Sequence, residues 1–209
     1  MEKSDHAAGL PAIGLGGSKM ISAIWRLSAA AGLIFGLTGG ALAGPIADQA
    51  STVEKLLASG DGAGALKAFD AAEDAFWTAS PLQFRVAVFA DAVKSFADYQ
   101  PRANSAFHAG ETVTIYLEPV GYGFASDGDL YRVSFNSGVE IHKGDVILGK
   151  TDDLGALGWQ GREKSHEVHV AITLTLPNLK PADYQLLLTL NDQTSGKSAT
   201  TTLPFSIVE

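Results

Sequence analysis

The chain reads as a mainly β protein: a two-layer antiparallel β-sandwich preceded by a short helical hairpin and an N-terminal signal helix. Three observations carry that reading. From Glu167 to Val208 apolar residues alternate with polar ones in three successive runs: Val168, Val170, Ile172, Leu174 and Leu176; then Tyr184, Leu186, Leu188 and Leu190; then Leu203, Phe205 and Ile207. A period of two puts each apolar set on one face of a strand, so three antiparallel strands present an oily face that a second layer must cover. Turn signals recur between short β-type segments, and Gly196 in Asp192–Lys197 suits the positive φ of a hairpin turn. Residues 44–80 repeat instead at helical spacing, and Ser80-Pro81 closes them.

Length and composition narrow the classes. A chain of 209 residues is most simply one domain with appendages, and it contains no cysteine, which rules out disulfides, thiolate metal sites and a cysteine nucleophile. The formal net charge is −8, with Lys and Arg scattered, so there is no basic stripe for nucleic acid and no patch for an anionic membrane surface. No cofactor is implied.

Taken in order, the chain opens with an address. Lys19 and Arg26 supply a positive n-region, Leu27–Leu37 is an apolar, Ala- and Gly-rich stretch, and Ala41-Leu42-Ala43 fits the small-x-small cleavage pattern. Residues 1–43 are therefore read as a signal peptide, with Met20 an alternative start, Gly44 the mature N-terminus and the periplasm the destination. The competing reading is an uncleaved membrane anchor, for which the stretch is short. Cleavage removes Lys3, Lys19 and Arg26 together with Glu2 and Asp5, leaving the mature chain slightly more acidic.

Residues 44–80 are expected to form a helical hairpin. Ser51-Thr52-Val53-Glu54 is a capping-box pattern, Gly60 a stop, and Asp61 a cap for a second helix from Gly62 to about Trp77. Leu66, Phe69, Ala72, Phe76 and Trp77 fall near the spacing of one buried stripe. The pair looks like one unit of a tetratricopeptide-type array, but the further repeats are missing. The simpler expectation is that the Phe69/Phe76/Trp77 stripe packs on an end or edge of the sandwich.

Residues 81–209 form the sandwich domain. Phe84–Ala90 suits a strand and, continued to Lys94, suits a helix equally. After Gly110, Val113, Ile115 and Leu117 face one way and Thr112, Thr114, Tyr116 and Glu118 the other, with Pro119 expected to end the pairing. Gly121–Phe124 is a candidate start for the next strand. Leu130–Ile141 and Val146–Leu148 read as hairpin partners, with Asn136-Ser137-Gly138 marking a bulge or a second turn. Seven to nine short strands result, an immunoglobulin-like arrangement without its Cys…Trp…Cys core.

The order Tyr116-Leu117-Glu118-Pro119, a Gly/Tyr segment, a Lys143-Gly144-Asp145 hairpin and then Leu179–Lys197 resembles a group of uncharacterised exported proteobacterial proteins with a C-terminal immunoglobulin-like β-sandwich. The resemblance spans roughly Pro81 to the end. It implies the fold and no activity.

Candidate chemistry is sparse. His166 and His169 with Asp152-Asp153 carry metal-ligand types, but an offset of three on a strand puts the two imidazoles on opposite faces, so surface histidines are expected. Ser165-His166-Glu167 has the residue types of a triad at adjacent positions that cannot face one another. Carboxylates cluster at Asp127/Asp129, Asp152/Asp153 and Glu111/Glu118, where turn capping and solvation suffice. The binding candidates are Arg102, which is Pro-fixed and suited to a structural pair with Glu111 or Glu118 or to an anionic ligand, and Tyr116, Glu118, Tyr122 and Trp159, whose aromatic rings suit sugar stacking or a protein partner. The leading expectation is an exported, non-enzymatic module that binds a protein or carbohydrate. A hydrolase with carboxylates converging only in the fold, and a periplasmic metal carrier, are the alternatives.

Overall fold

The computed structural model describes residues 44–209; the expected signal peptide and cleavage site lie outside the described residues. Residues 44–209 fall within one compact unit. Helices α1 (Pro45–Ala58) and α2 (Gly62–Ala79) come first, followed by strands β1 (Gln83–Ser95), β2 (Asp98–Pro101), β3 (Ala106–His108), β4 (Thr112–Val120) and β5 (Ala125–Asp127). The long β6 (Leu130–Lys143), β7 (Val146–Thr151), β8 (Ala156–Gly161), β9 (Val170–Thr175), β10 (Ala182–Asp192) and β11 (Ser198–Val208) complete the chain.

One sheet runs β2-β1-β4-β9 and the other β3-β11-β10-β6-β5, with β7 and β8 side by side on the remaining edge of β6. Pairing is antiparallel except for β3 on β11. The result is the expected mainly β sandwich with a helical hairpin, and no barrel closes among the described residues. Its core lies between the sheets. Val113, Ile115 and Leu117 of β4 and Val170 and Ile172 of β9 meet Val133 and Phe135 of β6, Leu186, Leu188 and Leu190 of β10, and Phe205 of β11 in one cluster. Alternation fixes these faces, because a slip of one residue would turn every apolar side chain outward. On the outer faces, threonine hydroxyls pair across strands at Thr112–Thr175 (3.2 Å), Thr114–Thr173 (3.1 Å) and Thr189–Thr200 (2.9 Å).

Several boundaries differ from the sequence reading for identifiable reasons. Residues 83–95 form a strand rather than a helix: β4 supplies partners as far as Ala90, and β2 pairs the rest. Pro119 does not end β4, since it sits opposite Phe84, where a register shift between Phe84 and Val86 absorbs its missing N–H. Gly121–Phe124 is a loop, and the next strand starts at Ala125. Asn136-Ser137-Gly138 neither turns nor bulges, for β10 pairs through it in unbroken register. Gly138 is instead a close approach: a Cβ there would lie 3.1 Å from the Thr151 carbonyl oxygen. The segment around Trp159, which is not among the strands expected from the sequence, is strand β8, paired with Tyr131–Asn136. Its glycines concealed it, and Gly158 is needed there, because a Cβ would stand 2.8 Å from the Val133 carbonyl oxygen. Helix α1 begins six residues before the Ser51 capping pattern, with Pro45 at its first turn.

Candidate functional site: a helical hairpin seated on the sandwich end

The two helices meet along small residues. On α1, Gln49, Val53 and Leu56 are half-buried, and on α2 Ala65 and Ala68 are buried with Ala72 half-buried. This seam occupies one side of each helix at i, i+3/i+4, i+7 spacing. Asp61 caps α2 by accepting the Gly64 N–H at 2.9 Å. No residue of α1 is buried.

The C-terminal end of α2 is locked to the sandwich. Trp77 is 5% exposed and belongs to the sandwich core. Its indole meets Tyr122 edge-on (centroids 5.2 Å apart, 79° between planes) and lies 4.1 Å from the His166 ring. The Tyr122 hydroxyl donates to the Ser165 carbonyl at 2.7 Å, and burial pushes its pKa well above the usual tyrosine value. Lys197 reaches back from the β10–β11 turn and donates to the carbonyls of Ser80 (2.7 Å), Gly121 (2.8 Å) and Thr78 (3.0 Å). An ammonium among the last carbonyls of a helix satisfies acceptors that the helix cannot satisfy itself. Asp192, 1% exposed, braces the same corner by accepting the Gly123 N–H (2.6 Å), the Thr194 N–H (2.9 Å) and the Ser195 hydroxyl. Gly121, at φ 84°, lets the backbone pass against Pro81 where a side chain would collide.

Between α2 and the β8–β9 loop runs a cleft of two adjoining cavities of about 550 and 370 Å³. An ion pair between Lys164 and Asp74 (2.7 Å) lines both. His166 Nδ1 sits 2.9 Å from Glu73 Oε1. His166 is thus not a free surface imidazole: it packs on Trp77 and pairs with Glu73, both on α2. Among the described residues no three His, Asp or Glu side chains converge as a metal site.

The remaining candidates are dispersed. Arg102 holds Glu111 (2.9 Å), donates to the Ala106 carbonyl (3.2 Å) and lies 4.3 Å over the Phe107 ring. The His108 N–H and the Arg102 guanidinium keep the Glu111 carboxyl below its ordinary pKa. Tyr116 and Glu118 share the outer face of β4 as expected but are covered, at 0% and 5% exposure. Tyr99 stacks on Tyr116 at 3.9 Å; the Tyr116 hydroxyl accepts the Ala97 N–H (2.8 Å) and donates to Glu118 Oε1 (2.7 Å). That bond holds Ala97 at φ 57°, in the left-handed region, and desolvation pushes the Tyr116 pKa up to about 12. Trp159 packs against the core from β8. Of the five residues only Tyr122 borders the cleft, and with Tyr116 and Tyr122 both buried neither ring is open to stack on a sugar.

The exposed aromatics are elsewhere. Leu66 (63% exposed), Phe69 (57%) and Phe76 (45%) stand on one side of α2, with Ile46 (40%) and Leu57 (59%) on α1. Here the sequence reading is corrected: only Trp77 of the expected stripe packs on the sandwich. At about 100° per residue, positions 46, 50, 53 and 57 fall within about 60° of arc on α1, and 66, 69, 73 and 76 within about 80° on α2. Both stripes lie the same way round from the alanine seam, and in an antiparallel hairpin that places them on one side. The signal was present in the sequence as two overlapping stripes, one of alanines and one of large apolar residues, and the alanines won the seam.

No family model and no curated protein matches the chain. Solved structures to which it is similar include the sporulation control protein Spo0M from Bacillus subtilis, at 13% identity over 62% of this chain and 50% of that one, with a TM-score of 0.34. Another is dimeric latent PorU from Porphyromonas gingivalis, at 12% identity over 62% of this chain and 10% of that one, also with a TM-score of 0.34. The chain thus spans half the length of the first and a tenth of the second.

Proposed function

We propose that this protein is an exported, periplasmic, non-enzymatic interaction module that docks a protein through the apolar side of its helical hairpin. One observation carries the reading: five large apolar side chains, Ile46, Leu57, Leu66, Phe69 and Phe76, stay 40–63% exposed on a hairpin that Trp77 and Lys197 clamp to the sandwich at the C-terminal end of α2. An exposed apolar patch on a rigidly seated element is the usual form of a protein-binding surface. The address segment in residues 1–43 supports export. The hydrolase alternative has less support, because of the four cleft carboxylates Glu73 and Asp74 are engaged by His166 and Lys164, and Asp70 and Glu163 stand exposed to solvent.

Site-specific photocrosslinking in the expressing cell tests the reading. A photoreactive phenylalanine analogue at Phe69 or Phe76 is expected to give discrete protein adducts that Leu66→Glu abolishes. The same analogue at Gln185, exposed on the sandwich, is expected to give none. Equal adducts from Gln185, or none from the hairpin, contradict it.

A further inference from the structure

Deepening that reading, and resting on it, we infer that the occupant of the hairpin's apolar side is a second copy of this chain, the two hairpins closing face to face into a four-helix bundle. Three features select this occupant. First, α1 buries no residue of its own, although Ile46, Ala50, Val53 and Leu57 form a continuous stripe along it. A second hairpin laid on that side gives both helices the core they lack, as two-layer helix packing requires.

Second, the face is electrically fit for self-association, while the hairpin around it is not. The hairpin carries six acids (Asp48, Glu54, Asp61, Asp70, Glu73 and Asp74) against Lys55 and Lys67, so random contact between copies is repulsive. Within the two stripes the only ionisable residue is Glu73, which His166 of the same chain holds at 2.9 Å. Within the hairpin, copies therefore meet without repulsion along this side.

Third, the dimensions fit. With a rise of 1.5 Å per residue the helices are about 21 and 27 Å long, and side by side about 20 Å wide. Each copy then contributes on the order of 500 Å², about 1,000 Å² in all, at the lower edge of specific interfaces. That scale describes a reversible, concentration-dependent dimer rather than an obligate one.

The test uses the exported chain recovered from the periplasm of an expressing cell, examined by sedimentation velocity across a concentration series. The expected result is a monomer–dimer equilibrium that Phe69→Glu weakens about thirtyfold or more, as loss of a central aromatic anchor does. Because the chain has no cysteine, single thiols report the face directly. Ala50→Cys, Phe69→Cys, or the two variants mixed should give a disulfide-linked dimer on mild oxidation, whereas Lys55→Cys, on the far side of α1, should not. A dimer indifferent to Phe69→Glu, or one crosslinked through Lys55→Cys, overturns the inference by placing the interface elsewhere. A monomer up to about 100 μM that binds an apolar fluorescent dye, with the binding lost in Phe69→Glu, also overturns it while leaving the docking surface intact for a different protein. A monomer that binds no dye removes both.

Discussion

Leu188 on β10 and Leu57 on α1 are the same side chain in opposite circumstances, 0% and 59% exposed. Around Leu188 two sheets close, so its methyl groups are removed from water by neighbours the same chain provides. Around Leu57 the chain provides only an alanine seam on an adjacent side of the helix. The contrast separates two fates of apolar surface: in the sandwich core it is consumed by folding, while on the hairpin, as on β7 at Val146, Ile147 and Leu148, it stays exposed. Polar anchors follow the same division. Lys197 and Asp192 are spent where α2 meets the sandwich, and no comparable anchor fixes α1.

The largest expected effect tests that division at its extremes. Leu188→Ala should lower unfolding stability by about 3 kcal/mol in urea titrations, the usual scale for a buried leucine, whereas Leu57→Ala should move it by less than about 0.5 kcal/mol. Equal losses would erase the contrast. Next comes the clamp. Lys197→Met removes a charged donor from three carbonyls and should cost about 2 kcal/mol. It should also uncouple the two parts, so that helical circular dichroism at 222 nm melts before the near-ultraviolet signal of the sandwich aromatics. Coincident melting would mean that α2 is not held by this lysine.

Smaller effects appear at the extremes of pH. The folded Tyr116 pKa, about 12, lies above the ordinary 10.0, so the fold favours the protonated phenol. Its contribution is complete below pH 10 and is lost as pH rises from 10 towards 12. Tyr116→Phe should make the alkaline fall in stability shallower, with Tyr122, also raised by burial, supplying what remains. At the acid end Glu111 is lowered from 4.5, so its contribution is present above that value and is lost as pH falls below it. Glu111→Gln should flatten the acid limb slightly, and a steeper limb would contradict the Arg102–Glu111 pairing.

How much could be read beforehand follows the same line. β9, β10 and β11 were legible because each has one wet and one buried face, which alternation reports directly, and β4 because its residue types alternate although Tyr116 and Glu118 on its outer face are covered. β8 was hidden because Gly158 and Gly161 answer to backbone and Trp159 contacts rather than to strand propensity. Arg102 was legible as a candidate for pairing with Glu111 or Glu118, and the structure gives it Glu111. The burial of Tyr116 was not, since its cover, Tyr99, arrives from a strand two places away in the sheet. The direction of Phe69 and Phe76 was misread because helical periodicity identifies stripes without saying which one meets the neighbour. Small side chains permit closer helix approach than phenylalanine, and that decided the seam.

Peptide-resolved amide hydrogen exchange, run at low and at high protein concentration, tests the central claim most directly. At low concentration, peptides from β6, β10 and β11 should exchange slowly and those covering Pro45–Ala58 quickly, with α1 gaining protection as concentration rises. Slow exchange in α1 at the lowest concentration, equal to that of β10, would show that the hairpin is already complete in a single copy and would contradict the account.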